Sequence, residues 1–189
     1  MRIFFLVLLC TFFSIRTVAA EDSPETKELS LVERLGFSPT TRVLIINADD
    51  FGMNHATNEG TFKVLKTGAV TSSTIMFCCP WVEEAVKFGL NNPQANLGVH
   101  TTLTSEWGNY KWGPVLGRTA VPTLCTEKGY FHGEVFDIYT LGVLDEAERE
   151  VRAQIDKALA AGIDITHIDS HMGAMQYDPA YHERFIRIA

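Results

Sequence analysis

The chain has 189 residues, of which 16 are basic and 23 are acidic, and its formal net charge is −7. An acidic chain without a lysine–arginine cluster lacks the electrostatic basis of nucleic-acid binding, so we expect no nucleic-acid partner. The length suits a single domain with a substantial core, since a domain of about 150 residues buries about 70% of the surface that its unfolded chain exposes.

Residues 1–20 have the pattern of a secretory signal peptide. Arg2 gives a positive start, an apolar run follows over 3–15, and Val-Ala-Ala at 18–20 supplies small residues before a cleavage point. The run is shorter than the roughly 20 apolar residues of a membrane span, so a retained N-terminal anchor is only the alternative. Cleavage leaves 14 basic and 23 acidic residues, a net charge of −9. The sequence therefore predicts a secreted or periplasmic protein that is not integral to a membrane after cleavage.

The rest of the chain is predicted to contain a leader segment over 21–41 and an organised domain over 42–189. In the domain, β-branched apolar runs alternate with amphipathic helical patterns. Asn54 and Gly162 have the residue types that cap helices, at a helix start and a helix end respectively. The predicted strands cover 43–46, 69–77, 96–103 and 163–168, and the predicted helices cover 55–66, 81–90, 144–161 and 181–189. A long excursion over 104–140 is predicted as a functional loop.

Repeated strand–helix units predict parallel strands joined by right-handed crossovers. Four such units are present, and the chain stops inside the last predicted helix, whereas an eight-unit barrel typically needs about 250 residues. Two α/β architectures agree with this pattern. One is an open sheet, and the other, which we favour, is a distorted (β/α) barrel of parallel strands truncated at its C-terminus.

Acids and imidazoles stand where three of the predicted strands end. Asp49 and Asp50 come after the first strand, His100 lies late in the third, and His171 follows the fourth. Taken singly, they have ordinary interpretations: a turn for the two acids, a core histidine and a loop histidine. Taken together, they should meet, because parallel α/β folds bind ligands at the carboxyl ends of their strands. Two imidazoles and one carboxylate would hold a divalent ion and leave positions open for water and substrate, which is a catalytic pattern.

Neighbours of these residues have expected supporting roles. Only one of Asp49 and Asp50 is expected to point at the ion, which leaves the other as a general base. In a strand, His167 and Asp169 share a face with His171, so both are candidates for orienting the ligands. For His167 the alternative is a buried strand histidine. A helical His167–His171 pair, as in zinc proteases, is disfavoured by the β-branched residues around it and by the lack of the glutamate that those proteases use.

The mature chain would contain three cysteines, Cys78, Cys79 and Cys125, without C-x-x-C spacing. We expect free thiols, because buried free cysteine is common at the end of an apolar strand. A bridge from Cys125 to one of the adjacent pair is the alternative in an oxidising compartment.

Three motifs resemble the YdjC-like carbohydrate deacetylases. They are L-I-I-N-A-D-D-F-G at 44–52, G-V-H-T-T-L-T at 98–104 and T-H-I-D-S-H-M-G at 166–173, and G-A-V-T-S-S at 68–73 is similar to a stretch between the first two. The resemblance runs from about residue 42 to the end. It implies a distorted (β/α) barrel, a divalent ion (Mg²⁺ or Zn²⁺) held by an Asp-His-His set, and removal of acetyl groups from N-acetylated sugars such as chitooligosaccharides.

Carried over residue by residue, the resemblance makes Asp50, His100 and His171 the metal ligands and Asp49 the base. The order of the two acids follows the related polysaccharide deacetylases. Two departures stand out. Residues 172–174 are Met-Gly-Ala, where many members have further histidines. Family members are also longer, so we expect the strands that close the barrel, and any substrate-binding or acid-donating residues on them, to be missing.

The expected partner is an N-acetylated sugar substrate. Assembly into a homo-oligomer is kept as an open alternative. Trp107, Tyr110 and Trp112 in the long excursion are candidate sugar-stacking surfaces, with core or lid packing as the alternative. Two other functions are kept beside the deacetylase. One is a metal-independent glycoside hydrolase that uses Asp49 and Asp169. The other is a non-catalytic carbohydrate-binding relic of a truncated deacetylase.

Overall fold

Four parallel strands form one sheet in the sequential order β1-β2-β3-β4. They are β1 (Asn47–Phe51), β2 (Ser72–Ile75), β3 (Leu97–Thr101) and β4 (Ile165–Ser170). Sequential order is that of a (β/α) barrel, whereas doubly wound sheets reverse their strand order at a switch point. The predicted α/β class with parallel strands is confirmed, and the architecture is consistent with a distorted barrel.

This structure is a computed structural model, and it describes residues 28–189. The predicted signal peptide and the first part of the leader, 21–27, lie outside the described residues. The chain divides into a unit that ends at Val43 and a unit over Leu44–Ala189. In the first unit, helix α1 (Leu31–Arg34) begins with a capping box, in which the side chains of Ser30 and Glu33 each accept from the other residue's backbone N–H. Over residues 28–189, no helix has both the length and the apolar content that a membrane crossing requires.

Four of the five helices of the second unit begin and end within two residues of the predicted positions, and the fifth, over Val135–Leu141, lies where a loop was expected. The Asn54 side chain accepts a hydrogen bond from the Thr57 N–H at 2.9 Å, and Gly68 ends the same helix with a φ of 70°. Gly162, just beyond the third predicted helix, has a φ of 80°. The helices are α2 (His55–Thr67), α3 (Val82–Asn91), α4 (Val135–Leu141), α5 (Leu144–Ala160) and α6 (Pro179–Ile188).

The first strand differs from its prediction. Residues 43–46 were expected to form a buried strand, but they precede β1 and are exposed, Leu44 by 75% and Ile45 by 74%. The ladder with β2 begins at the pair Asn47 and Ser72, and just upstream of it the Ile46 carbonyl accepts a hydrogen bond from the Thr71 N–H at 2.8 Å. The two acids therefore lie within β1 instead of following it.

The excursion over 104–140 also differs, because it is not a loop throughout. It contains a 3₁₀ turn at Pro122–Leu124, an isolated antiparallel bridge between Cys125 and Phe131, and helix α4 from Val135 onwards. Its apolar side chains pack in one core with α5 and α6. Members of that core include Leu103, Trp112, Val121, Leu124, Phe131, Ile138, Val151 and Phe185. The excursion is thus a packed part of the domain, and it lies beyond the carboxyl end of β3.

The two faces of the sheet differ in polarity. Ile75 and Val99 belong to a second apolar core that includes side chains of α3 and α5. Because side chains alternate along a strand, their neighbours Thr74 and His100 lie on the opposite face. There, Thr74 donates to Asp169 at 2.9 Å. Hydrogen bonds on this face therefore link the polar side chains Thr74, Asp169 and His100 near the carboxyl ends of the strands.

Candidate metal centre

A bulge in β1 presents Asp50. The ladder between β1 and β2 is regular at Asn47 and Ala48, and its register shifts before Phe51. Asp50 lies at this irregularity with a φ of 62°. Left-handed backbone is costly for most residues, and Asp and Asn tolerate it best. Such outliers cluster at functional sites, where surrounding structure holds them in place.

Gly52 fixes the turn that follows the two acids. Its φ is 93°, and a Cβ atom added there would lie 3.2 Å from the Cα of Val82. Its backbone N–H donates to the Asn58 side chain at 2.7 Å, and Asn58 is fully buried. The D-D-F-G sequence therefore needs its glycine for both backbone conformation and close packing.

His100 is oriented by a carboxylate of β4. Its Nδ1 lies 2.6 Å from Oδ1 of Asp169, whose Oδ2 accepts from Thr74 at 2.9 Å and from Asn47 at 3.3 Å. In the neutral imidazole, Asp169 accepts the Nδ1 proton, which leaves the lone pair of His100 on Nε2. Hydrogen bonding of this kind fixes the tautomer and ring orientation of metal-binding histidines.

His171 comes directly after β4, in a short 3₁₀ turn at His171–Gly173. Both His171 and His100 are 4% exposed. The Nδ1 of His171 lies 3.2 Å from the Nε2 of His100, and its own Nε2 lies 3.1 Å from a carboxylate oxygen of Glu106. The ring thus has one nitrogen on the neighbouring imidazole and the other on an acid.

Three ligand atoms form a nearly equilateral triangle. Oδ1 of Asp50 lies 3.3 Å from Nε2 of His100 and 3.2 Å from Nδ1 of His171. Ligands bound to one ion at about 2.1 Å lie about 3.0–3.4 Å from one another, so the triangle fits a shared cation. Oδ1 of Asp50 is also buried without a hydrogen-bond partner, and a bound cation would satisfy it.

The electrostatics of the three groups favour positive charge between them. Burial opposes protonation of His100, but Asp169 and Asp50 outweigh it and raise its pKa to about 9. For His171, burial is likewise outweighed by Asp50 and Glu106, which raise its pKa to about 9. Burial acts to raise the pKa of Asp50, yet the two imidazoles lower that pKa well below its usual range. Three carboxylates around two imidazoles make an electronegative site.

The remaining polar candidates occupy different positions. Asp49 is exposed, accepts a hydrogen bond from Nδ2 of Asn47 at 2.6 Å, and has a carboxylate oxygen within 4.8 Å of a ring nitrogen of His100.

The alternation predicted for β4 is broken by a register shift, in which Leu97 and Val99 pair with Ile165 and Ile168. Asp169 consequently contacts His100, whereas His167 does not join the centre.

The ring of His167 lies against Gly98, where an added Cβ would be 2.8 Å from Nε2. That Nε2 is buried without a hydrogen-bond partner, and Nδ1 contacts the hydroxyl of Thr166 at 2.8 Å. This placement is closer to the packing alternative for His167 than to an orienting role.

The three aromatic candidates also separate. Trp112 is 2% exposed, donates from its indole to the Thr104 carbonyl at 2.7 Å, and packs edge-on to His171 at 6.1 Å. The hydroxyl of Tyr110 donates to the Met53 carbonyl. Trp112 therefore has the packing role, while Trp107, 46% exposed, remains available as a stacking surface.

Cys78, Cys79 and Cys125 are free thiols, as expected. The bridge from Cys125 to one of the adjacent pair is not present in the structure.

Glu106 is the site residue that the sequence analysis missed. It lies five residues beyond the end of β3 and contacts Nε2 of His171 through both carboxylate oxygens, at 3.1 and 3.2 Å. Its signal in the sequence is weak: an acid just after G-V-H-T-T-L-T, next to Trp107. Only the fold of the excursion shows that this acid returns to His171, just beyond β4.

A family comparison covers the region that contains these residues. The family model described as "YdjC-like protein" matches residues 43–189. The chain belongs to the YdjC-like protein family. The match begins just before β1 and includes every residue of the candidate centre.

Two similar proteins are carbohydrate deacetylases. Over 148 residues the chain is 32% identical to a carbohydrate deacetylase of Thermoanaerobacter pseudethanolicus, covering 78% of this chain and 57% of that protein. Over 129 residues it is 39% identical to a carbohydrate deacetylase of Brevibacillus brevis, covering 68% and 48%. The chain thus spans about half the length of these curated relatives.

A solved structure from Enterococcus faecalis V583 has the same fold. It superimposes with a TM-score of 0.69 at 34% identity, covering 77% of this chain and 54% of that one. That protein is described, provisionally, as a cellobiose-phosphate cleavage protein.

Proposed function

We propose that this chain contains the metal centre of a divalent-metal-dependent deacetylase, which hydrolyses the acetamide of N-acetylated sugars. The observation behind the proposal is the triangle of Asp50, His100 and His171, which has sides of 3.2–3.3 Å and whose Asp50 corner is a buried carboxylate oxygen without a hydrogen-bond partner. Similarity to carbohydrate deacetylases supplies the substrate class.

Asp50, His100 and His171 would hold the ion through Oδ1, Nε2 and Nδ1 respectively. A divalent ion supplies Lewis-acid chemistry, which polarises a carbonyl and lowers the pKa of bound water. Two imidazole ligands favour Zn²⁺ over Mg²⁺, because Mg²⁺ prefers oxygen ligands and retains several waters.

Asp49 is the proposed general base. Its carboxylate is exposed beside the centre, where it can accept a proton from water, and the amide of Asn47 holds one of its oxygens at 2.6 Å. A carboxylate so placed contributes about 10²–10⁴-fold to rate. Asp169 keeps His100 in the required tautomer and is thereby committed to positioning.

Glycoside hydrolysis by Asp49 and Asp169 is less consistent with the geometry. Nδ2 of Asn47 donates to both carboxylates, at 2.6 and 3.3 Å, so a single amide group holds the two acids together. Retaining and inverting glycosidases need their carboxyl groups on opposite sides of the scissile bond. Asp169 is additionally engaged by His100.

The test is acetate release from N-acetylglucosamine and N,N′-diacetylchitobiose by the 189-residue chain, with Zn²⁺ or Mg²⁺ and with a chelator. We expect release that requires metal and that is lost in Asp50→Asn. No release above the metal-free control from several N-acetyl sugars would count against the deacetylase. Metal-independent sugar binding without turnover would support the non-catalytic alternative, and chelator-insensitive release of reducing sugar would support the glycosidase.

We also propose export of the mature chain, on the basis of the residue pattern over 1–20. N-terminal sequencing of the expressed protein tests this, with Glu21 as the expected first residue.

A further inference from the structure

The two histidines of the centre are held in opposite ways. His100 faces Asp50 with Nε2 and its own carboxylate, Asp169, with Nδ1. His171 faces Asp50 with Nδ1 and Glu106 with Nε2. Each ring thus has one nitrogen towards the shared point and the other on a separate acid.

A carboxylate selects which nitrogen is free to bind an ion. Neutral imidazole has one N–H and one lone pair, and an ionised carboxylate only accepts hydrogen bonds, so it pairs with the nitrogen that carries the proton. In the neutral ring, Glu106 at Nε2 keeps the proton there, so the lone pair of His171 is on Nδ1 and points towards Asp50. Without Glu106, the ring has no acid at Nε2 to fix this tautomer.

The backbone that leads into Glu106 is held firmly. Thr104 and Ser105 are fully buried, and the Ser105 N–H donates to the His132 carbonyl at 2.8 Å. The Ser105 hydroxyl accepts a hydrogen bond from the backbone N–H of Trp112 at 3.1 Å. Nζ of Lys111 donates to the Ser105 carbonyl at 2.5 Å. Glu106 is therefore presented by an ordered segment, which reduces the entropy that the contact with His171 would cost.

We propose that Glu106 is a positioning residue, which orients His171 and sets its tautomer so that Nδ1 is the metal-binding nitrogen. The inference rests on the proposed metal-dependent function and adds a residue of the excursion to it. The excursion thereby has a role in the centre beyond any contact with substrate. Partners of this kind typically change metal affinity by about 10–100-fold when removed.

The experiment compares wild type, Glu106→Ala and the control Glu127→Ala, which removes an exposed acid from the same excursion. Zinc affinity is measured by competition with a chromophoric chelator. Long-range ¹H–¹⁵N spectra of the zinc-loaded, histidine-labelled proteins then show which ring nitrogen has the proton. Wild type is expected to show His171 protonated on Nε2 and His100 protonated on Nδ1.

Glu106→Ala is expected to bind zinc about 10–100-fold more weakly and to lose the protected Nε2 proton of His171, while the Nδ1 proton of His100 persists. Glu127→Ala should match wild type. Equal affinity and an unchanged His171 signal in Glu106→Ala would overturn the inference and leave the metal centre intact. Loss of both histidine signals would show general disruption and would also overturn it. If wild type itself binds no zinc, the proposed function fails, and the role of Glu106 fails with it.

Discussion

Two neighbouring carboxylates are expected to respond differently to the same substitution. Asp50→Asn changes an atom of the ligand triangle, whereas Asp49→Asn changes an exposed carboxylate beside it. Asparagine is the appropriate replacement at position 50 because, like aspartate, it tolerates the φ of 62° found there. Both variants should therefore keep the backbone of β1.

The magnitudes follow from the contacts. Loss of a partner that only orients a ligand costs about 10–100-fold in metal affinity, so loss of the ligand Asp50 should cost more than about 100-fold. Asp49 makes one side-chain hydrogen bond, with Asn47, and its loss should cost at most about 1.5 kcal/mol of stability. As a general base, Asp49 should contribute about 10²–10⁴-fold to turnover, or about 3–5 kcal/mol of barrier.

Calorimetric zinc titration and acetate release separate the two roles. Asp50→Asn should lose zinc binding and activity together. Asp49→Asn should bind zinc within a few-fold of wild type and lose turnover. The opposite pattern, with zinc binding lost in Asp49→Asn and retained in Asp50→Asn, would refute the assignment taken from the triangle.

Further outcomes are expected for pH, packing and substrate binding. The folded-state pKa values of His100 and His171, about 9, lie above their ordinary 6.5, so their contribution to the stability of the metal-free protein is complete below pH 6.5 and is lost as the pH rises through 9. Zinc affinity should rise over the same interval, because zinc binds neutral imidazole. Gly98→Ala places a Cβ 2.5 Å from the His167 carbonyl oxygen and should cost about 1–3 kcal/mol in denaturant unfolding. Trp107→Ala should raise KM about 3–10-fold at unchanged kcat.

Each of these outcomes has a clear opposite. If the denaturant midpoint of the metal-free protein did not decrease as the pH is raised from 6.5 to 9, the ion pairs of the two histidines would be contradicted. A Gly98→Ala variant as stable as wild type would contradict the close approach of β4 to β3. A Trp107→Ala variant with unchanged KM for all N-acetyl sugars would remove the stacking role of that residue.

Local signals accounted for most of the secondary structure. Asn54 and Gly68 define α2 because capping and left-handed backbone are properties of single residues. Apolar periodicity located α5 because a helix that packs on a sheet must bury one stripe of side chains. The same logic was wrong for residues 43–46, since an apolar run records a tendency to be buried and contains no information about its partners.

The amino-acid sequence alone indicated parallel strands with acids and imidazoles at their ends, because strand composition and chain order are written in consecutive residues. Only the tertiary structure decided which side chains meet. The bulge at Asp50 favours it over Asp49 for the shared point, the register shift in β4 separates His167 from Asp169, and the folded excursion brings Glu106 to His171 across 65 residues of chain. These are effects of register and long-range packing, and each depends on how distant segments pair in space.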